Sequence, residues 1–175
     1  RDVFSTVYSD DEEGGRFAAL AMKERGRKDI VAVLGPQDNP AVVDRLRGYR
    51  TVLGEDLLDA NVIYTGWNSG DGYQAMHQIL AREIAFDGVL CGSDRIAAGV
   101  ITALNEAGLS VPADVSVVGF DDHEIAARCV PALTTVRQPL REEGHMAANI
   151  ALDMIKGAEP TTSVMHMQLI QRDSL

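Results

Sequence analysis

Brief apolar runs rich in Val and Ile alternate along this chain with stretches of helical period, and no other pattern limits its fold so tightly. The runs are Val3 to Tyr8, Ile30 to Leu34, Asn61 to Tyr64, Gly88 to Cys91 and Val115 to Phe120. Each is bounded by Gly, Asp or Pro, as buried parallel strands tend to be. Between them, Gly14 to Arg25 carries Phe17, Leu20 and Ala21 on one stripe, and Asp71 to Ile84 spaces Tyr73, Met76, Leu80 and Ile84 by three or four. Ser93 to Ala107 repeats the pattern with Ile96, Val100, Ile101 and Leu104, and Gly108 supplies a helix stop. Strand and helix in alternation, joined by short connections, predict an α/β fold: a doubly wound parallel sheet covered on both faces.

Ligands of such sheets sit beyond the carboxyl ends of the strands. The loops to inspect are therefore Ser9-Asp10, Gly35 to Asn39, Thr65 to Asn68, Gly92 to Asp94 and Asp121 to Glu124. The end of the chain departs from the alternation. After Pro131 come an extended piece, Leu133 to Arg137, then Pro139 and one long helical stretch reaching Lys156. Its stripe is Met146, Ala147, Ile150, Ala151, Met154 and Ile155; Gly157 stops it, and Val164 to Ile170 reads as a last strand. A helix flanked by extended pieces suits a segment that leaves one lobe and returns.

With 175 residues the chain is long enough for a sizeable core. No apolar run approaches the roughly 20 residues that cross a bilayer. A formal net charge of −10 makes the segment a poor ligand for phosphate backbones. Cys91 lies in an apolar run where a buried reduced thiol is expected, and Cys129 completes a pair too small for a disulfide framework.

Most signatures of catalysis fail. Neither a glycine-rich dinucleotide loop nor a phosphate loop is present. His123-Glu124 opens like a zinc-protease motif, but Ala127 stands where the second His is needed. Gly92-Ser93 lacks the following glycine of a nucleophile elbow. His77, His123, His145 and His166 show no metal-ligand spacing. The run Asp121-Asp122-His123-Glu124 admits three readings: a hard-cation site, a helix start, or a carboxylate gripping ligand hydroxyls. Capping suits Asp122 and Glu124, and ligand gripping suits Asp121. Trp67, the single tryptophan, sits in the polar loop Thr65 to Gly70, where its ring could stack on a sugar or nucleobase. Core packing is its alternative. Arg45 lies one turn into a helix with Arg47 and Arg50 nearby; it is either part of a solvated face or a donor to ligand oxygens.

Three stretches together resemble the lactose-repressor/galactose-repressor family of transcriptional regulators. The most specific pairs Val111 to Asp122, reading VPADVSVVGFDD, with Pro131 to Pro139, reading PALTTVRQP. The second runs from Phe86 to Asp94 and into Ala97-Ala98-Gly99. The third comprises Asp10 to Gly15, Ile30 to Pro36 and Arg45 to Tyr49. The resemblance covers essentially the whole chain.

It implies a fold like the type I periplasmic sugar-binding proteins, two lobes joined by three crossing strands with a small ligand between them. Residues 9–132 would form the C-terminal lobe, 133–160 a segment returning to the N-terminal lobe, and 161–175 the final crossing strand. Crossings would fall at the beginning of the chain, at Leu133 to Pro139 and near Val164. The family's effector contacts carry over to Arg45, Trp67, Ser93 and Asp121, and less directly to Asn39. Arg45 and Asp121 would bind hydroxyls, Trp67 would pack on the ring and Ser93 would add a polar contact. The stretch from Thr51 to Asn61 is short for the family, and Ser93 stands where some members carry an amide.

The DNA-reading helix-turn-helix and most of the N-terminal lobe are absent from this sequence. The resemblance thus implies the effector-sensing part of a cytoplasmic homodimeric repressor, with a sugar or sugar derivative as effector. Operator DNA would be held by the absent N-terminal domain, with no cofactor, metal, membrane or catalysis involved. A periplasmic sugar-binding protein of a transport system is the alternative, and an enzyme with a metal site at Asp121, Asp122 and Glu124 is a third. The face of small residues at Ala97, Ala98 and Gly99 would serve either a dimer interface or internal packing.

Overall fold

A computed structural model describes residues 4–54, 57–82 and 84–175. Strands β2 (Ile30–Leu34), β3 (Val62–Tyr64), β4 (Gly88–Cys91), β5 (Ser116–Asp121), β6 (Thr134–Arg137) and β8 (Gln168–Ile170) make one sheet. Its order is β3-β2-β4-β5-β6-β8, parallel except where β8 runs antiparallel to β6. Strands β1 (Thr6–Ser9) and β7 (Thr162–Met165) pair in parallel as a separate two-stranded sheet. Three connections therefore run between the sheets: Ser9 into Asp10, Arg137 through Pro139, and Met165 to Gln168. Of the expected first strand, Val3 lies outside the described residues. The expected last strand is two strands, because the chain changes sheet at His166 and Met167.

Helices α1 (Asp11–Glu24) and α2 (Pro40–Leu53) cover one face of the large sheet, and α3 (Ser69–Leu80) and α4 (Asp94–Glu106) the other. The strands alternate accordingly. Ile30, Ala32 and Leu34 pack toward α1 and α2, while Val31 and Val33 pack toward α3 and α4. Every residue of β2 and β4 is buried, which is why these segments read as continuous apolar runs. Each covering helix starts on a short polar cap: Asp10, Asn39, Asn68 and Ser93. These caps explain why α1 and α3 begin earlier than the apolar periodicity alone indicates. α3 also ends at Leu80 rather than at Ile84.

The helices within each pair meet through glycine. A Cβ on Gly15 would come within 3.0 Å of the Arg45 carbonyl oxygen, and one on Gly48 within 3.0 Å of that of Glu12. In the other layer, Gly72 abuts the Ile96 carbonyl and Gly99 the Ser69 carbonyl in the same way. Backbone-to-backbone approach sets the buried face of α1, which is Gly14, Gly15, Ala18, Ala19, Ala21 and Met22. Leu20, expected on the apolar stripe, is instead 42% exposed. The same geometry decides the small residues of α4. Gly99 is buried in the α3–α4 contact and Ala97 in the core of that layer, so only Ala98 of that trio reaches the surface.

Helix α5 (Leu140–Ile155) has no buried residue. Its apolar side faces a groove of about 540 Å³ shared with Phe4, Ser5 and Val7 of the β1 segment.

Gly15→Ala and Gly99→Ala should each lower stability by about 1–3 kcal/mol in chemical denaturation, since backbone must move to admit a methyl group. Gly70→Ala, which opens into free space, should change it by less than about 0.5 kcal/mol.

Candidate functional site

At the carboxyl ends of β2 and β4 the chain turns toward opposite faces of the sheet, β2 into α2 and β4 into α4. This is the switch point of the sheet, where ligands of such folds sit, and here Gly35 and Gly92 lie side by side. The N-termini of the four covering helices lie at this edge, so their first-turn N–H groups lend it a positive backbone field.

Arg45 lies buried beneath this edge. It is 4% exposed, and a charge so buried must be paired. Its Nε donates to Asp11 Oδ1 at 2.7 Å, Nη1 donates to the Gly92 carbonyl, and Nη1 lies 3.8 Å from Asp121 Oδ1. The guanidinium also lies over the Phe120 ring, 3.7 Å from its centroid. Burial raises the Asp11 pKa, a shift that Arg45 partly offsets.

Asp121 ends β5 with φ 110° and Asp122 follows with φ 55°, a left-handed corner that side chains other than glycine seldom adopt. Gln138 Nε2 donates to Asp121 Oδ1 at 2.6 Å. Burial pushes the Asp121 carboxyl up, against the pull of Arg45 and Gln138. Asp122 turns the other way. Arg137 Nε and Arg172 Nη2 each donate to it at 2.6 Å, and these bonds outweigh its burial to hold its pKa below the ordinary value. Neither Asp122 nor Glu124 caps a helix, contrary to the expectation from sequence. Glu124 pairs with Arg128 on the surface, and only the short turn Ala126–Arg128 follows. Because these carboxylates diverge into separate partners, they do not converge on a cation. Among the described residues no cluster of three or more metal-binding side chains occurs.

Trp67 stands over Gly35: a Cβ there would come within 3.0 Å of the indole. The ring is half-buried and touches apolar residues of both faces of the sheet. Its loop is fixed by a capping box, in which the Asn68 amide donates to Asp71 Oδ2 at 2.9 Å. Ser93 is 4% exposed, and its hydroxyl accepts the Ile96 amide at 3.3 Å as the cap of α4. Asn39 caps α2 through the Ala41 amide at 3.0 Å. It borders a cleft of about 720 Å³, shared with Asp11 and Gln138 and lined also by Tyr8, Glu143 and Val164. Of the five candidates, only Asn39 lines this cleft directly; Arg45, Trp67, Ser93 and Asp121 do not.

Three participants escaped sequence reasoning. Asp11 sits one residue beyond the loop singled out, and Gln138 lies inside a motif read only as family signature. Asp94, wholly buried, stands beside Ser93; its carboxylate accepts the Thr135 hydroxyl at 2.5 Å and the His123 amide at 2.7 Å. A charged residue at a helix start gives no sequence signal that it points inward.

Residues 19–175 match the periplasmic binding protein-like domain family. The transcriptional repressor PurR of Escherichia fergusonii is 38% identical over 179 residues, covering 99% of this chain and 52% of that protein. The chain thus spans about half the length of the curated relatives it matches. Among solved structures, the regulator CelR in complex with cellobiose superposes with a TM-score of 0.92 at 35% identity. That match covers 98% of this chain and 54% of CelR. A LacI family regulator from Enterococcus faecalis with bound ribose gives 0.90 at 30% identity, covering 99% of this chain and 64% of that one. The chain belongs to the LacI/GalR family of transcriptional regulators, with its periplasmic-binding-protein-like match over residues 19–175.

Proposed function

We propose that this chain is the effector-sensing part of a transcriptional repressor, with a small sugar or sugar derivative bound at the carboxyl edge of the large sheet. The observation that carries the reading is the meeting of Arg45 and Asp121 at the switch point, with Trp67 standing over Gly35 beside them. A carboxylate and a guanidinium grip hydroxyls, and an indole covers the apolar face of a ring. Asp121 is the more open partner, its side chain 31% exposed against 5% for Arg45. It would take the direct hydroxyl contact while Arg45 backs it with its remaining N–H donors. Asn39 and Ser93 would add polar contacts at the rim. Cellobiose in one solved relative and ribose in another support a carbohydrate.

Residues 9–132 would then be one lobe, 133–160 an excursion into a second and 161–175 the last crossing. The groove along α5 would be filled by that second lobe. Effector binding would favour one arrangement of the lobes and so change operator affinity through the DNA-binding part of the whole protein, with the reciprocal effect of operator on effector. No bond is made or broken in such a cycle, so no residue is catalytic. The setting would be the cytoplasm. No helix among the described residues is long and apolar enough to cross a membrane. Relatives that are repressors weigh against the transport reading.

A homodimer would form through the outer side of α4, where Ala98, Thr102 and Asn105 border a groove with Cys129 and Val130. Val130 is 82% exposed there.

In calorimetric titrations of the whole protein with ribose and cellobiose, Asp121→Asn and Trp67→Ala should each weaken the sugar that binds by about tenfold or more. Asn is chosen because it tolerates positive φ. Unchanged affinity in either variant removes that residue from the site. Ala98→Asp should convert the dimer to monomer in light scattering, and a dimer that survives it places the interface elsewhere.

A further inference from the structure

Asp94 occupies the first turn of α4 but is wholly buried, packed behind the corner that ends β5. Its Oδ2 accepts the His123 amide at 2.7 Å, and its Oδ1 accepts the Thr135 hydroxyl at 2.5 Å. The Thr135 oxygen in turn receives the Asp122 amide at 3.4 Å. The two amides that follow Asp121 are therefore tied, one directly and one through Thr135, to a single carboxylate. Room is reserved for that carboxylate, because a Cβ on Gly119 would come within 3.0 Å of Asp94 Oδ1. Two consecutive positive-φ aspartates persist only where surrounding bonds over-determine them. The bonds from Asp94 are the ones that do so from the α4 side.

We propose that Asp94 is a positioning residue for the effector site, a clamp that locks the Asp121–Asp122–His123 corner and so aims the Asp121 carboxylate at Arg45 and the ligand. The proposal rests on the reading of Asp121 as an effector contact. Asp94 faces Asp121 from β5, Cys91 from β4, and Asp122, His123 and Cys129 from the loop beyond β5. Burial, with the acidic neighbours adding to it, pushes its pKa up to about 7, while its two hydrogen bonds pull down. The ionised form is the stronger acceptor. The clamp consequently tightens as pH rises through neutrality.

Amide hydrogen exchange on the whole protein, resolved at Asp122 and His123 and corrected for intrinsic rates, tests the clamp without a ligand. Asp94→Asn and Thr135→Val should each reduce protection of these amides by about tenfold, the equivalent of one hydrogen bond. The amides of β2 and β4 should be unchanged, and Thr135→Ser, which keeps the hydroxyl, should retain protection. In the parent, protection of the corner should rise between pH 6 and pH 8 around a midpoint near 7, and this rise should vanish in Asp94→Asn. Unchanged protection at the corner, or an equal loss throughout the sheet, overturns the proposal. If the corner loosens as expected but Asp121→Asn binds ribose and cellobiose like the parent, the clamp stands and the effector reading of Asp121 falls.

Discussion

A guanidinium cannot be left unpaired in an apolar interior, and the way Arg45 is satisfied organises the edge of the sheet where the candidate site lies. Its partners come from the first turn of α1, the end of β4 and the end of β5, so one side chain of α2 ties those elements together at the switch point. A point charge could not do this as well. The planar fork donates to Asp11 and to the Gly92 carbonyl while its face lies on Phe120. Breaking such an arrangement by removing one partner leaves a buried charge, which costs several kcal/mol. The site is thus anchored where the sheet supports it and faces β1 and β7 across the cleft.

Two kinds of packing hold that edge in register. Within the helical layers, glycines let backbones touch, so α1 with α2 and α3 with α4 behave as pairs rather than as single helices laid on a sheet. At the end of β5 the chain is held by charge. Asp122 is locked outward by Arg137 and Arg172, while Asp94 anchors the next amide from within. Between these fixed points Asp121 has little freedom, and its conformation is set by its neighbours on both sides.

The parallel sheet was legible because its strands are short, branched and buried on both faces, a pattern with few other solutions. The ends of β2 and β4 agree with the structure to the residue, since Gly and Asp bound them sharply. Helix starts were less legible, because Asp10 and Asn68 act through a single side-chain bond that apolar spacing does not register. Leu20 misled for a related reason: stripes are read from large residues, and the contact it was assigned to is made by Gly15 and Ala18. At the site, Arg45, Trp67 and Asp121 could be named from loop position and family resemblance. Asp11, Asp94 and Gln138 could not, because their importance lies in which partner they face, and Thr135 and Asp94 stand 41 positions apart in the chain.

The placement of Trp67 also has an optical consequence. It is the single tryptophan of the sequence, half-buried and pressed on Gly35 at the carboxyl edge of the sheet. Indole emission shifts with the polarity around the ring, so the protein carries one intrinsic fluorophore whose colour reports how wet that edge of the sheet is. Anything that covers or uncovers the ring will be written in its spectrum without a label.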